Sequence, residues 1–346
     1  MTESNKAERV DQAEDTDSNP LRVKLIPFMD RFGILMVILV IGLVMYALQP
    51  EVFFTWRNIT NIFKQTAANG MLSIGMFLVI LTAGIDLSVG SILAVGMMTL
   101  AVANAGNVPW PIVIVLSPIV GTFVGFLNGL GITKLRMPHP FIMTLGMLFM
   151  ARGAANLISG GVPYSGLSDP VRFLGSFRIY LGEIDGTKLN LPVVILVTIV
   201  VYFAFWVMLE HTVFGRRIYA IGGNPQAARV SGINVDRVLI AVYTICGLMA
   251  GVAGLIMAGR TNSGFPNAGV GMELEAIAAV IIGGASFFGG RGHVLGIFGG
   301  VMIMGLIKNG LNLNNVSSFW QQILIGAIII LAVYIDVLRR EFATRH

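Results

Sequence analysis

The stretch Leu191-Pro192-Val193-Val194-Ile195-Leu196-Val197-Thr198-Ile199-Val200-Val201-Tyr202-Phe203-Ala204-Phe205-Trp206-Val207-Met208-Leu209 contains no charged side chain. The hydrocarbon core of a bilayer is about 30 Å thick and takes roughly 20 apolar residues of helix to cross, so 191–209 reads as a transmembrane span. Working outward with the same length criterion, spans fall near 32–48, 61–82, 88–105, 111–131 and 140–159 before it, and near 238–258, 273–288, 294–309 and 321–337 after it. The fold class is an all-α membrane protein, a polytopic bundle of about ten transmembrane helices. Spans around 61–105 and 273–309 are joined in pairs by Gly-rich turns too short to emerge far from the membrane, which makes them candidates for re-entrant hairpins.

Composition agrees with that reading. Of 346 residues, 55% are hydrophobic and 12% charged, with a mean hydropathy of +0.80, whereas soluble domains carry about a quarter charged residues. Residues 1–19 hold six acids, two bases and no aromatic residue, too little apolar surface to offset chain entropy. Residues 1–31 are accordingly expected as a disordered acidic cytoplasmic tail, 32–338 as the transmembrane unit and 339–346 as a C-terminal cytoplasmic tail. No basic start with a short apolar run and a cleavage site precedes the first span, so it is read as retained. The net charge of +5 is not carried by any free Lys/Arg cluster, which argues against nucleic acid as a partner. The lone Cys246 excludes an internal disulfide and a multi-Cys metal site.

Cytoplasmic loops accumulate Lys and Arg. With the N-terminus inside, fifteen of the 23 bases fall on the cytoplasmic side and seven outside, with Arg152 inside a span. Both termini are then cytoplasmic, residues 160–190 on the far side of the membrane and the loop 210–237 cytoplasmic, in a multi-pass protein.

Small residues recur every fourth position at Gly121, Gly125 and Gly129 and again at Gly292, Gly296 and Gly300, spacing that lets helices approach closely and that is assigned to packing. Val79–Gly84 and Val280–Ala285 each end an apolar helix in a small-residue turn that begins another, either a diverged internal repeat of the kind transporters contain or a chance match in so apolar a composition.

Phosphate-loop, zinc-protease, Cys-x-x-Cys and Gly-x-Ser-x-Gly signatures are all missing, so neither catalytic, metal nor nucleotide-binding residues are assigned. The four histidines lack metal-ligand spacing. Charges inside the membrane say more, because each costs at least about 2.5–3.5 kcal/mol at the bilayer centre. Asp86 and Ser88, in Thr82-Ala83-Gly84-Ile85-Asp86-Leu87-Ser88, either cap the following helix or take part in gating and passage. Arg152 pairs with an acid, lines a wet path or snorkels to an interface. In the cytoplasmic loop, Asn224 suits an N-cap, Pro225 the first helical position and Gly232 the residue past the end. Such a short capped helix at the membrane surface fits docking of another protein, with the small Ala227 and Ala228 allowing close approach and Arg229, Arg216 and Arg217 reaching acids or lipid phosphates.

Three motifs in order, Gly84-Ile85-Asp86-Leu87-Ser88-Val89-Gly90-Ser91, Ala220 to Val235, and Glu275 to Ser286, followed by Asn309-Gly310-Leu311-Asn312 before the last span, resemble the ribose-type permeases of bacterial ABC importers. The resemblance covers about residues 32–338 and implies a multi-pass protein of the bacterial inner membrane with residues 160–190 in the periplasm. It implies a permease subunit for a monosaccharide that works as a pair, with a separate cytoplasmic ATPase that binds ATP and Mg and a periplasmic sugar-binding protein. It makes Gly215, Arg216, Gly223, Asn224, Pro225, Ala227, Ala228, Arg229 and Gly232 the ATPase-coupling loop. Asp86, Ser88, Arg152 and Asn309 become candidates for the membrane turn and translocation path. The competing class is an ion-coupled secondary transporter, which would usually carry more membrane acids than the isolated Asp86, Glu273 and Glu275.

Overall fold

With no water in the bilayer core, every backbone N–H and C=O must find its partner within its own segment or a closed sheet, and the apolar runs here do so as helices. The computed structural model describes residues 20–135, 137, 139–184 and 186–344. In chain order, α1 is Pro20–Leu48, α2 Trp56–Leu81, α3 Val89–Ala105, α4 Trp110–Lys134 and α5 Pro140–Ser159. A short strand β1 (Tyr164–Ser165), α6 (Asp169–Ser176) and a hairpin of β2 (Arg178–Ile184) and β3 (Thr187–Pro192) follow. Then come α7 (Val193–His211), α8 (Val213–Gly223), α9 (Pro225–Val230), α10 (Val235–Thr261), β4 (Ser263–Gly264), α11 (Met272–Ile282), α12 (Val294–Leu313) and α13 (Ser318–Thr344).

Among the described residues, seven helices are long and apolar enough to cross a membrane, with two shorter apolar helices at Gly33–Leu48 and Val89–Ala105. The expected span 273–288 is different. Its helix α11 has 11 residues, about 16 Å at 1.5 Å per residue, roughly half the hydrocarbon core. An irregular stretch, 265–271, precedes it. Gly283 and Gly284, with φ of +84° at the latter, end it.

The expected boundaries move at both chain ends. Helix α1 begins at Pro20, a residue suited to the first helical position, so 20–31 is helical rather than tail, and α13 continues through 339–344. Residues 1–19 and 345–346 lie outside the described residues. The loop expected at 160–190 contains α6 and an antiparallel hairpin with a register shift between Tyr180 and Gly182, while β1 pairs with β4 just beyond α10.

Helices α2 and α10 form the centre. The glycine stripe of α4 lies directly on α10: a Cβ at Gly121 would meet Gly247 O, one at Gly125 would meet Tyr243 O, and one at Gly129 would lie 2.7 Å from Ile240 Cα. Gly296 and Gly300 likewise meet Gly283 O and Ala279 O. Both stripes therefore pack helices inside one chain, and buried Cys246 belongs to the same core.

Opposite ends of α2 mark the two faces of the bundle. At its start, Trp56 Nε1 donates to Asn190 O at 3.3 Å, so the loop containing the hairpin sits there. At its end, Leu81 O is the atom a Cβ on Gly222 would strike, so α8 and α9 lie at the other face.

Candidate functional site

Helix α2 ends because Thr82 N–H and Gly84 N–H both bond back to Val79 O, at 3.1 and 3.0 Å, with Ala83 at φ +58°. Helix α11 ends in the same pattern: Ala285 N–H donates to Val280 O at 3.2 Å and Gly284 N–H to Ile281 O at 2.9 Å, matching Ala83 N–H to Ile80 O at 2.9 Å. The two segments read as a repeat thus share a turn geometry. The loop that follows the second segment touches the first, since Gly290 N–H donates to Leu81 O at 2.9 Å and a Cβ on Gly289 would lie 2.9 Å from Ala83 N.

Beyond the α2 turn, Asp86 is fully buried, which a carboxylate tolerates only with donors around it. Its Oδ1 accepts Ser88 N–H at 2.9 Å and Ser88 Oγ–H at 2.5 Å, and Asn128 Nδ2 donates to Oδ2 at 3.3 Å. Asn128 Nδ2 also donates to Ser88 Oγ at 2.9 Å. Neither side chain caps α3 as expected, since the backbone N–H that Asp86 accepts belongs to Ser88, the residue before the helix. Ser88 occupies the N-cap of α3 without a side-chain cap bond, because its hydroxyl is turned to Asp86. Thr144 Oγ1 donates to Ile85 O at 3.3 Å, so α4 and α5 both hold this turn. Asn128 escapes sequence reading; its only signal is an amide beside Gly129 within an apolar span.

Arg152 is the thirteenth residue of the twenty-residue α5, about 18 Å from its start by helix rise. Its Nη1 donates to Pro266 O and Ala268 O, both at 2.6 Å, carbonyls of the irregular stretch before α11. Backbone acceptors, not an acid, are therefore its hydrogen-bond partners, and Glu273 acts on it only through the field.

Asn309 stands apart from Asp86 and Arg152. It makes a reciprocal pair with Asn58 across α12 and α2, at 2.9 and 3.1 Å, and Asn58 Nδ2 also donates to Phe53 O at 2.9 Å. Asn309→Leu would leave buried amide groups of Asn58 unpaired at about 1–3 kcal/mol. The expected result is a lower melting temperature of the detergent-solubilised protein, read by size-exclusion after heating; unchanged melting would show that the pair contributes nothing.

The surface unit of α8 and α9 is built as its caps predict. Asn224 Oδ1 accepts Gln226 N–H and Ala227 N–H, both at 3.0 Å, and Gly232 has φ of +83°. Gly215 is buried where a Cβ would meet Leu209 O, which permits the sharp step from α7 to α8. Gly223 to Ala227, Arg229, Ser231 and Gly232 are exposed, and so are Arg216 and Arg217. Arg229 pairs with Asp236 at 3.4 Å, a solvent-facing contact of small energy. Ala228 differs from the expectation that it faces a partner: it is 4% exposed and belongs to the core of this chain, because on a single helical turn one side must seat against the bundle. Sequence reading also missed Val230, 91% exposed at the end of α9.

Inward, this unit rests on the end of α2 and on the loop that follows α11. Gly222 fits against Leu81 O and Gly290 N, and Tyr219 Oη donates to Gly292 O at 2.9 Å. Burial, helped by the Glu210 carboxylate, pushes the Tyr219 hydroxyl up to about 12, so it keeps its proton for that bond at physiological pH.

The family described as branched-chain amino acid transport system / permease component matches residues 58–333. The chain is 41% identical over 303 residues to the ribose import permease protein of Escherichia coli strain K12, covering 87% of this chain and 92% of that one. It is 39% identical over 325 residues to the ribose import permease protein of Bacillus subtilis strain 168, covering 94% and 98%. It is 35% identical over 384 aligned positions to the xylose transport system permease protein of Escherichia coli strain K12, covering 92% and 98%. No solved structure gives a significant match. Similarity along nearly the whole of both chains, in a bundle of this architecture, means that the chain belongs to the ribose-type (monosaccharide) ABC importer permease family.

Proposed function

We propose that this chain forms the membrane path through which a monosaccharide enters a bacterial cell, driven by a separate ATPase that presses on α8 and α9. The observation that carries the reading is the near full-length similarity to ribose and xylose import permeases. The surface unit supplies the mechanical part. Its outward face, Asn224 to Ala227 with Arg229 and Val230, is free for a protein partner, while its inward face sits on the end of α2 and on the loop that follows α11.

In this reading ATP and Mg belong to the ATPase, and the permease makes no covalent bond. A second copy of the chain completes the path, and a periplasmic binding protein delivers sugar at the face carrying residues 160–190. Binding of these partners shifts the bundle between inward-open and outward-open states only through their differential affinity for the two. Pressure on α8 moves Gly222 and Tyr219, and with them the loop Ser286–Gly292 and the end of α2. An ion-coupled carrier fits less well, because the Asp86 carboxylate is sealed by Ser88 and Asn128.

Reconstitution with the ATPase and a ribose-binding or xylose-binding protein tests the reading. Sugar uptake should need ATP and both partners; uptake by the chain alone under a proton or sodium gradient, or uptake of leucine in place of sugar, would overturn it. Orientation is tested separately in a Cys246→Ser background on intact cells with a thiol reagent that cannot cross the membrane. Ser168→Cys should label and Ser231→Cys should not, and the reverse pattern would invert the topology.

A further inference from the structure

Residues 265–271 have no regular structure and run alongside α3 and α5, two of the apolar helices. The stretch enters where Gly264 packs against Ala101 and Met97 of α3 and reaches Gly90, near the start of α3, at Gly269. From Met97 to Gly90 is about 10 Å along a helix, so the chain has descended well below the end of α3 before α11 begins. Arg152, near mid-span of α5, grips Pro266 O and Ala268 O at that level.

Its own chain buries Pro266, Ala268 and Gly269 and leaves one edge of the stretch uncovered. Asn267 is exposed, Val270 is 67% exposed and Leu274, in the first turn of α11, is exposed beside them. Irregular backbone at this depth is tolerated only where protein buries it or where it lines a water-filled cavity, and an exposed amide flanked by a half-buried Arg152 and Glu273 is costly against lipid. Broken helices at the midplane are where transporters place their substrate contacts.

We propose that Phe265–Gly271 is the sugar-contacting wall of the translocation path, facing a second copy of the chain, with the Asn267 amide and the Glu273 carboxylate as the groups that pair with passing hydroxyls. A sugar hydroxyl both donates and accepts, as does an amide, and a carboxylate accepts. Glu273 is held in position: its Oε1 accepts Gly271 N–H at 3.2 Å, and its Oε2 packs against Gly90, where a Cβ would strike it. Arg152 keeps the wall in place by occupying the two carbonyls that a continuous helix would have used internally.

The inference rests on the monosaccharide permease reading, and its test separates the two. In the Cys246→Ser background, Asn267→Cys is compared with Leu196→Cys and Ile323→Cys on the outer surfaces of α7 and α13, all in the full complex in membranes. A charged, membrane-impermeant methanethiosulfonate should label position 267 and leave 196 and 323 unmodified, and modification at 267 should lower ribose or xylose uptake by about tenfold or more. If unmodified complex transports neither sugar, the permease reading itself fails. If it transports, but position 267 stays unlabelled or is labelled with no loss of uptake, Phe265–Gly271 does not line the path.

Discussion

Asp86→Leu is expected to remove most of the protein from the membrane fraction, whereas Asp86→Asn retains a substantial part. Three donors converge on this carboxylate, Ser88 N–H, Ser88 Oγ–H and Asn128 Nδ2, in a site closed to water. Leucine leaves all three without that acceptor at about 1–3 kcal/mol each, a sum comparable with the whole stability of an ordinary domain, about 5–15 kcal/mol. Asparagine keeps one acceptor oxygen, and Ser88 N–H and Oγ–H both use the same oxygen. Quantitative immunoblots of membranes, with uptake measured at matched abundance, read the difference. Equal abundance and uptake for wild type and Asp86→Leu would mean that the carboxylate neither holds the turn nor takes part in transport.

The neighbouring alanines of α9 should separate assembly from folding. Ala227 is exposed and Ala228 buried in the core of the chain, so tryptophan at the two positions meets different surroundings. Ala227→Trp leaves insertion and abundance normal but pushes α9 off its partner; overpacking a fitted contact costs about 1–3 kcal/mol, or roughly tenfold to a hundredfold in affinity for the ATPase at one site. Co-purification with the ATPase should fall by that amount and ATP-dependent uptake with it. Ala228→Trp acts inside the permease and should lower abundance before any partner is involved. Normal co-purification and uptake for Ala227→Trp would make the surface helix a plain connection, and normal abundance for Ala228→Trp would contradict its burial.

The path between these two sites is short. Gly222 touches Leu81 O, Leu81 ends the helix that leads to Asp86, and Gly290 N–H bonds to the same carbonyl. Helix α8, the end of α2 and the loop after α11 thus meet at Leu81 O through backbone contacts that no added side chain could enter, and the glycine at 222 is required for that closeness.

The chain's own sequence determined the membrane class, most helix positions, the caps of α9 and the unusual status of Asp86 and Arg152. These are local or one-dimensional properties: apolar length sets a span, a side-chain oxygen followed by proline sets a helix start, and a charge in an apolar run needs an explanation wherever it packs. Only the tertiary structure decided what each polar group meets. Ser88 could cap or bond sideways, and Asn128, forty residues away, drew its hydroxyl to Asp86. Arg152 needed acceptors from outside its helix, and the half-length α11 freed carbonyls more than a hundred residues along the chain. Ala227 and Ala228 look alike in sequence, and which one is buried depends on how α9 seats against the bundle. Hydrophobic length acts within a segment, whereas hydrogen bonds in a low-dielectric core are settled by which helices come close enough to supply the missing partner.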